Sequence, residues 1–193
     1  MKRMIPLLFL LLFGCNISDE ETNPDDSVTT VIKTPELIEE LKAQSTIDDQ
    51  FSILYDKFEP TLDRSASLTG VDENGDGIRD DIEAFIDALE VTEPVRHALK
   101  QNARYQQENL YYDFTENNNA NVDKAIEISN KYEKVIACKD YVGIPVDDLI
   151  NSSRTIVALT YNTKARTMAY LAYNHLLDGT VSTSLKAEEK YCE

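Results

Sequence analysis

The sequence predicts an all-α protein: a bundle of four to five main helices with one acidic loop at 72–83 set between them. Three observations predict it. Apolar residues recur at three- and four-residue spacing through most of residues 35–193. Residues that start and stop helices fall between those periodic stretches: Pro35, Pro94, the run Asn117, Asn118 and Asn119, then Gly143, Pro145 and Gly179. No alternating apolar and polar run of useful strand length interrupts them.

Taken in order, Pro35 opens a short helix carrying Leu37, Ile38 and Leu41. A second runs from about Ile47 to Phe58 and places Phe51, Leu54, Tyr55 and Phe58 on one face. The acidic loop follows. It leads into a helix whose stripe is Ile82, Phe85, Ile86 and Leu89, with Asp80 and Asp81 in the first turn, where the helix dipole favours negative charge. Pro94 suits the first turn of the next helix, expected to reach about Phe114, with Val95, Leu99, Asn102 and Tyr105 facing inward. After the asparagines a helix from about Ala120 to Tyr141 shows Val122, Ala125, Ile126, Ser129, Tyr132 and Ile136. The longest helix is expected from Val146 to the stop at Asp178 and Gly179, about 45 Å if unbroken. Its apolar positions, among them Ile156, Val157, Leu159, Met168, Leu171, Leu176 and Leu177, go almost all round. That marks it as a central helix contacted from several sides.

Residues 72–83 carry the clearest chemistry. Calcium is a hard cation that takes six to eight oxygens. Counted from Asp72, the loop supplies Asp72 at position 1, Asn74 at 3, Asp76 at 5, the Ile78 carbonyl at 7, Asp80 at 9 directly or through water, and Glu83 at 12. Gly77 stands at position 6, where the chain must turn sharply. Glu73 and Asp81 add further charge, and so concentrated an acidic cluster repels itself without a cation. The pattern resembles the loop and exiting helix of an EF-hand, and also the calcium loop of dockerin modules, over about a dozen residues of loop and a dozen of helix. It departs from both. Only one such loop is present, and Arg79 occupies position 8, where paired EF-hands place an aliphatic residue. The entering side, with Pro60, Ser65, Ser67, Thr69 and Gly70, does not read as helix. These departures argue against a paired sensor and against a cohesin partner. The resemblance implies Ca²⁺ as cofactor with modest affinity, in the range of about 10⁻⁴ to 10⁻³ M. At about 1 mM calcium and a Kd near 0.1 mM, binding stabilises the fold by roughly 1.4 kcal/mol, which suits a structural staple.

The N-terminus gives an address. Lys2 and Arg3 precede an apolar run from Ile5 to Phe13, too short to span a bilayer and laid out as a signal peptide over 1–14. Its end, Leu12, Phe13, Gly14 and Cys15, resembles a bacterial lipobox, with Phe13 bulkier than is usual there. The resemblance implies lipidation of Cys15, attachment to a membrane through that lipid, and residence in the bacterial cell envelope. Asn16 after the cysteine implies the outer membrane, facing the periplasm, in a Gram-negative host. Residues 15–34, acidic and poor in apolar side chains, read as a flexible tether, and 35–193 as a single domain. Loss of Lys2 and Arg3 with the signal takes the formal charge from −16 to −18, which opposes nucleic acid as a partner. In an exported domain the remaining pair, Cys138 and Cys192, predicts one disulfide, worth roughly 4 kcal/mol in the chain-entropy model.

No catalytic constellation stands out. His97 and His175 lie on different helices, and phosphate loops, nucleophile elbows and zinc motifs are missing from the sequence. The ten tyrosines include Tyr105, Tyr111, Tyr112, Tyr132, Tyr161, Tyr170 and Tyr173, which could cluster across three helices. The plainer reading puts them at the core edge with hydroxyls in water. The functional expectation is a calcium-stapled, lipid-anchored binding or interaction module with an envelope protein as possible partner. The alternatives are an envelope enzyme without a recognisable motif, and a small inhibitor or chaperone.

Overall fold

Helix starts are written locally in this chain. Thr34, Thr46, Asn118 and Thr163 each sit in extended backbone and accept a hydrogen bond from the amide three residues on, at Leu37, Asp49, Asn121 and Arg166. A computed structural model describes residues 31–193. The signal segment, Cys15 and most of the tether lie outside the described residues. The helices are α1 (Pro35–Lys42), α2 (Ile47–Phe58), α3 (Asp80–Ala88), α4 (Glu93–Glu108), α5 (Asn119–Tyr141), α6 (Val146–Thr160) and α7 (Lys164–Leu176). Short 3-10 turns at Glu59–Thr61, Asn109–Tyr111 and Glu189–Tyr191 complete an all-α fold, with no strand among the described residues.

Two apolar clusters hold the helices. The larger joins α1, α2, α3, α4 and α6 around Phe51, Leu54, Phe85, Ile86, Leu99 and Ile156, all fully buried. Each such side chain contributes about 1.5–3 kcal/mol by leaving water. The smaller packs α5 against α7 through Ala125, Ile128, Tyr173 and Leu176, with Phe114 closing it. The described tail returns to α5, where Cys192 is bonded to Cys138 (Cα–Cα 5.0 Å) as expected, 54 residues apart in sequence.

Several boundaries differ from expectation. The long final helix is two. It breaks at Tyr161, Asn162 and Thr163, and with the short α1 and α3 counted the described residues hold seven helices, against the four or five main ones expected. The reason is a local competition that periodicity does not register: Thr163 caps α7, while the Tyr161 hydroxyl, buried, donates to the Gln106 carbonyl at 2.8 Å and accepts from Asn109 Nδ2 at 2.5 Å. Neither half is wrapped on all sides: Met168 and Leu171 face out from α7. The fourth helix ends at Glu108 and tightens into the Asn109–Tyr111 turn, short of Phe114. Tyr55 faces solvent. The last residues assigned to the tether belong to the domain, for Val31 packs on the larger core, Lys33 pairs with Glu90 at 2.5 Å and Thr34 caps α1.

Candidate functional site

The acidic loop is built as a succession of side chains bonding their own backbone. Asp72 Oδ1 accepts from the amides of Gly75 (2.8 Å) and Asp76 (3.2 Å), and Oδ2 from Gly77 (2.9 Å). Asn74 Oδ1 accepts from the Asp76 amide and Asp76 Oδ1 from the Ile78 amide, both at 2.9 Å. Gly75 and Gly77 turn at φ of 69° and 85°, a region open to glycine and strained for other residues. Asp80 Oδ1 accepts from the Glu73 amide at 3.1 Å, while its Oδ2 is buried with no hydrogen-bond partner. The first and last thirds of the loop meet where Asn74 Nδ2 donates to Glu83 Oε2 at 3.0 Å.

Helix α4 braces the loop from one side. Lys100 donates to Glu83 Oε1 at 2.8 Å and to Asp87, and Arg104 Nε donates to the Asp76 carbonyl at 2.7 Å. Burial alone would lower the Lys100 pKa, but Asp87 and Glu83 outweigh it and raise it. The Tyr111 hydroxyl is pushed up by burial and then by the neighbouring charges of Asp72 and Asp76.

All six sequence-predicted ligands therefore lie on one loop, with Asn74 and Glu83 in contact. The carboxylates are not drawn to a single point. Among the described residues no group of three or more His, Cys, Asp or Glu side chains could hold a metal ion as placed. The physical reason is visible: Asp72 is spent on three loop amides, and Glu83 on Lys100 and Asn74. The donor chemistry still fits a hard cation. It is all oxygen, the turn is a glycine turn, and the buried Asp80 Oδ2 lacks any other partner.

Beneath the loop lies a group that motif reading passed over. Ile78 and Arg79 are both fully buried. Arg79 clasps Asp81 through Nε (2.5 Å) and Nη2 (2.9 Å), then donates to the carbonyls of Leu159 (2.9 Å) and Thr160 (3.3 Å). Those carbonyls are the loose ends of α6, at its negative pole. Asp81 also accepts the Asp63 amide at 2.7 Å. Arg166, equally buried, reaches the carbonyls of Asp63, Ser67 and Leu68 and lies 3.3 Å from Asp63 Oδ2. Burial would raise the Asp63 pKa, but bonds from Ser65 and the charges of Arg166 and Arg79 hold it below the ordinary carboxylate range. The departure at position 8 was the one sequence signal of this network.

On the far side of α4 the tyrosines gather. A half-open pocket of about 740 Å³ lies between α4, α5, α6 and α7, with Tyr105, Tyr132, Tyr170 and Tyr173 in its wall. Tyr105 and Tyr132 are 5.3 Å apart by ring centroids, and Tyr170 stacks on Tyr161 at 4.5 Å. Burial pushes up the hydroxyl pKa of Tyr105, Tyr132 and Tyr173. This corrects the plainer reading for Tyr161 and Tyr173, which are buried, while Tyr105, Tyr132 and Tyr170 are half-buried and Tyr111 and Tyr112 are exposed. Behind the wall Lys139 is fully buried, and its ammonium donates to the Leu149 carbonyl (2.9 Å), Ser152 Oγ (3.0 Å) and Ser153 Oγ (2.8 Å). Burial lowers its pKa to about 8, against a smaller upward pull from Asp148. Three acceptors take its three protons, and Ser153 gives its own proton to Leu149. The pair is thus committed to structure and is not arranged as base and nucleophile. His97 and His175 are exposed, the latter 3.0 Å from Asp178, and neither lines the pocket.

No protein-family model, no curated protein and no solved structure matches this chain.

Proposed function

We propose that the chain is a calcium-stapled, lipid-anchored helical protein of the bacterial cell envelope that works as a binding module. Asp72, Asn74, Asp76, the Ile78 carbonyl, Asp80 and Glu83 would hold the ion. Calcium would supply positive charge to a cluster that otherwise repels itself, and oxygen cross-links between residues 72–76 and the first turn of α3. The observation that carries this reading is the seat of the loop: the residues at its positions 7 and 8, Ile78 and Arg79, are fully buried. An ion ordering the loop's outer side therefore acts on the fold itself, which favours a staple over a switch. A lipid on Cys15 would place the domain at a membrane surface, and the net charge of −16 disfavours nucleic acid as its partner.

Thermal melts in EDTA and in millimolar calcium, with Asp76→Ala alongside, test the staple. The midpoint is expected to rise by about 3–6 °C with calcium in the wild type and not in the variant. No rise in the wild type, with a flat calorimetric titration, would remove calcium from the reading. Mass spectrometry of the mature protein from its host tests the anchor: an acyl-free Cys15 would remove it.

A further inference from the structure

The pocket between α4, α5, α6 and α7 has the size of a small-molecule site, since such sites typically span about 300–1,000 Å³. Its walls are mainly apolar: Ile136, Leu149, Ile150, Val157 and Leu177 stand with the tyrosine rings. Its charges are unusual for this chain. Acids outnumber bases 35 to 19, and the other described arginines each pair with a carboxylate: Arg64 with Glu59, Arg79 with Asp81, Arg96 with Glu93, Arg104 with Glu193 and Arg166 with Asp63. Arg154, which lines the pocket, makes no ion pair with any described residue. A second positive charge stands behind Ser153, where the ammonium of Lys139 is bonded only to neutral oxygens. The Tyr173 hydroxyl, on a side chain 3% exposed, makes no well-formed hydrogen bond and has Tyr105 and Ser129 as its polar neighbours. Asp140 also lines the pocket without an ion pair among the described residues, and its charge disfavours a ligand with several negative groups.

We propose that this pocket binds a small amphipathic monocarboxylate, its apolar body among Ile136, Leu149, Val157 and the tyrosine rings and its carboxylate at Arg154. The guanidinium offers two parallel donors to a carboxylate, and the walls remove the apolar body from water. The proposal gives the binding role a ligand class and rests on that role, but it uses no residue of the acidic loop.

Calorimetric titration of the full chain, in millimolar calcium and below the aggregation threshold of each probe, tests it. The probes are dodecanoate, 1-naphthaleneacetate and, as the charge-reversed control, dodecyltrimethylammonium. At least one carboxylate is expected to bind saturably, one arm reporting an acyl body and the other an aromatic one. Arg154→Gln is expected to weaken that binding at least about tenfold. Arg154 is exposed, so its replacement leaves the core intact, and an unchanged melting midpoint checks this. Val157→Trp, which fills the pocket, is expected to abolish binding. Silence from both carboxylates, undiminished affinity in Arg154→Gln, or equal affinity for the ammonium probe would each overturn the proposal. A calcium-insensitive protein that binds dodecanoate would instead leave the pocket standing and the staple fallen.

Discussion

The two sides of the acidic loop solve opposite problems with the same residue types. On the outside, Asp72, Asp76 and Glu83 hold charge near a surface where water screens it, with Lys100 and Arg104 as partial counterweights. On the inside, Arg79 and Asp81 are dry, at 0% and 2% exposure, and every contact is a directed bond. Charge near water can be left unbalanced and await a cation, whereas charge out of water must be matched within the fold. Arg79→Leu is the most direct way to break that contrast. It strands the Asp81 carboxylate and the α6 carbonyls in the interior and is expected to cost about 3–5 kcal/mol in urea unfolding. Adding Asp81→Leu to it should restore part of the loss, because the stranded charge goes too. A loss under about 1 kcal/mol for Arg79→Leu would mean that water reaches this pair.

Lys139 sharpens the comparison, since it is buried like Arg79 yet bonded to neutral oxygens alone. Burial depresses its folded pKa to about 8, from an unfolded value of 10.5. Below pH 8 both states carry the proton, and folding bears the full cost of the buried charge. Between pH 8 and 10.5 the unfolded chain binds more protons, so this group's contribution to stability rises with pH. The stability difference between wild type and Lys139→Met should therefore move in the wild type's favour across that window, by at most about 3.5 kcal/mol. Taking the difference removes the contribution of the other titrating groups. A flat difference would show that Lys139 is paired as closely as Arg79.

Gly70 packs against the inner side. It turns at φ 70°, and a Cβ there would overlap Arg79 Cδ and Asp63 Oδ2. Gly70→Ala is expected to cost about 2 kcal/mol through backbone strain and displacement of the Arg79 side chain. If the loss is the same in an Arg79→Leu background, the backbone alone carries it.

The contrast also explains what the sequence disclosed. The reading of the outer loop needs only local information: six candidate oxygen-donor positions within twelve residues, taken from spacing. The helices and the disulfide were legible for related reasons, periodicity for the former and an even pair of cysteines, Cys138 and Cys192, for the latter. The inner network was not, because Arg79 meets Leu159 and Thr160 across about 80 residues, and Arg166 meets Asp63 across 103. An arginine at loop position 8 reads as a departure until its partners are known. The break before α7 was missed because apolar spacing continues across it, while the cap at Thr163 is one hydrogen bond. The pocket needed four helices to be placed before Arg154 and four tyrosines could be seen to share a wall.

The smallest expected effect bears most directly on calcium. Lys100 holds Glu83 Oε1 at 2.8 Å and Asp87 at 2.8 Å, and so occupies the carboxylate that would give an ion two oxygens. Its ammonium would compete with an ion for that oxygen and would add a like charge beside it. Lys100→Met should therefore tighten calcium binding by about 1 kcal/mol, roughly fivefold, at an effective dielectric near that of bulk water. In EDTA the same change should lower stability slightly, because Glu83 and Asp87 lose their counter-charge. The two signs oppose each other, so calcium titration and an EDTA melt of one variant separate the roles. Tighter binding with a weaker apo fold would place the ion and Lys100 in competition for one carboxylate. Weaker binding would mean that Lys100 positions Glu83 for the ion, and the outer face would then be preorganised by α4 much as the inner face is by α6.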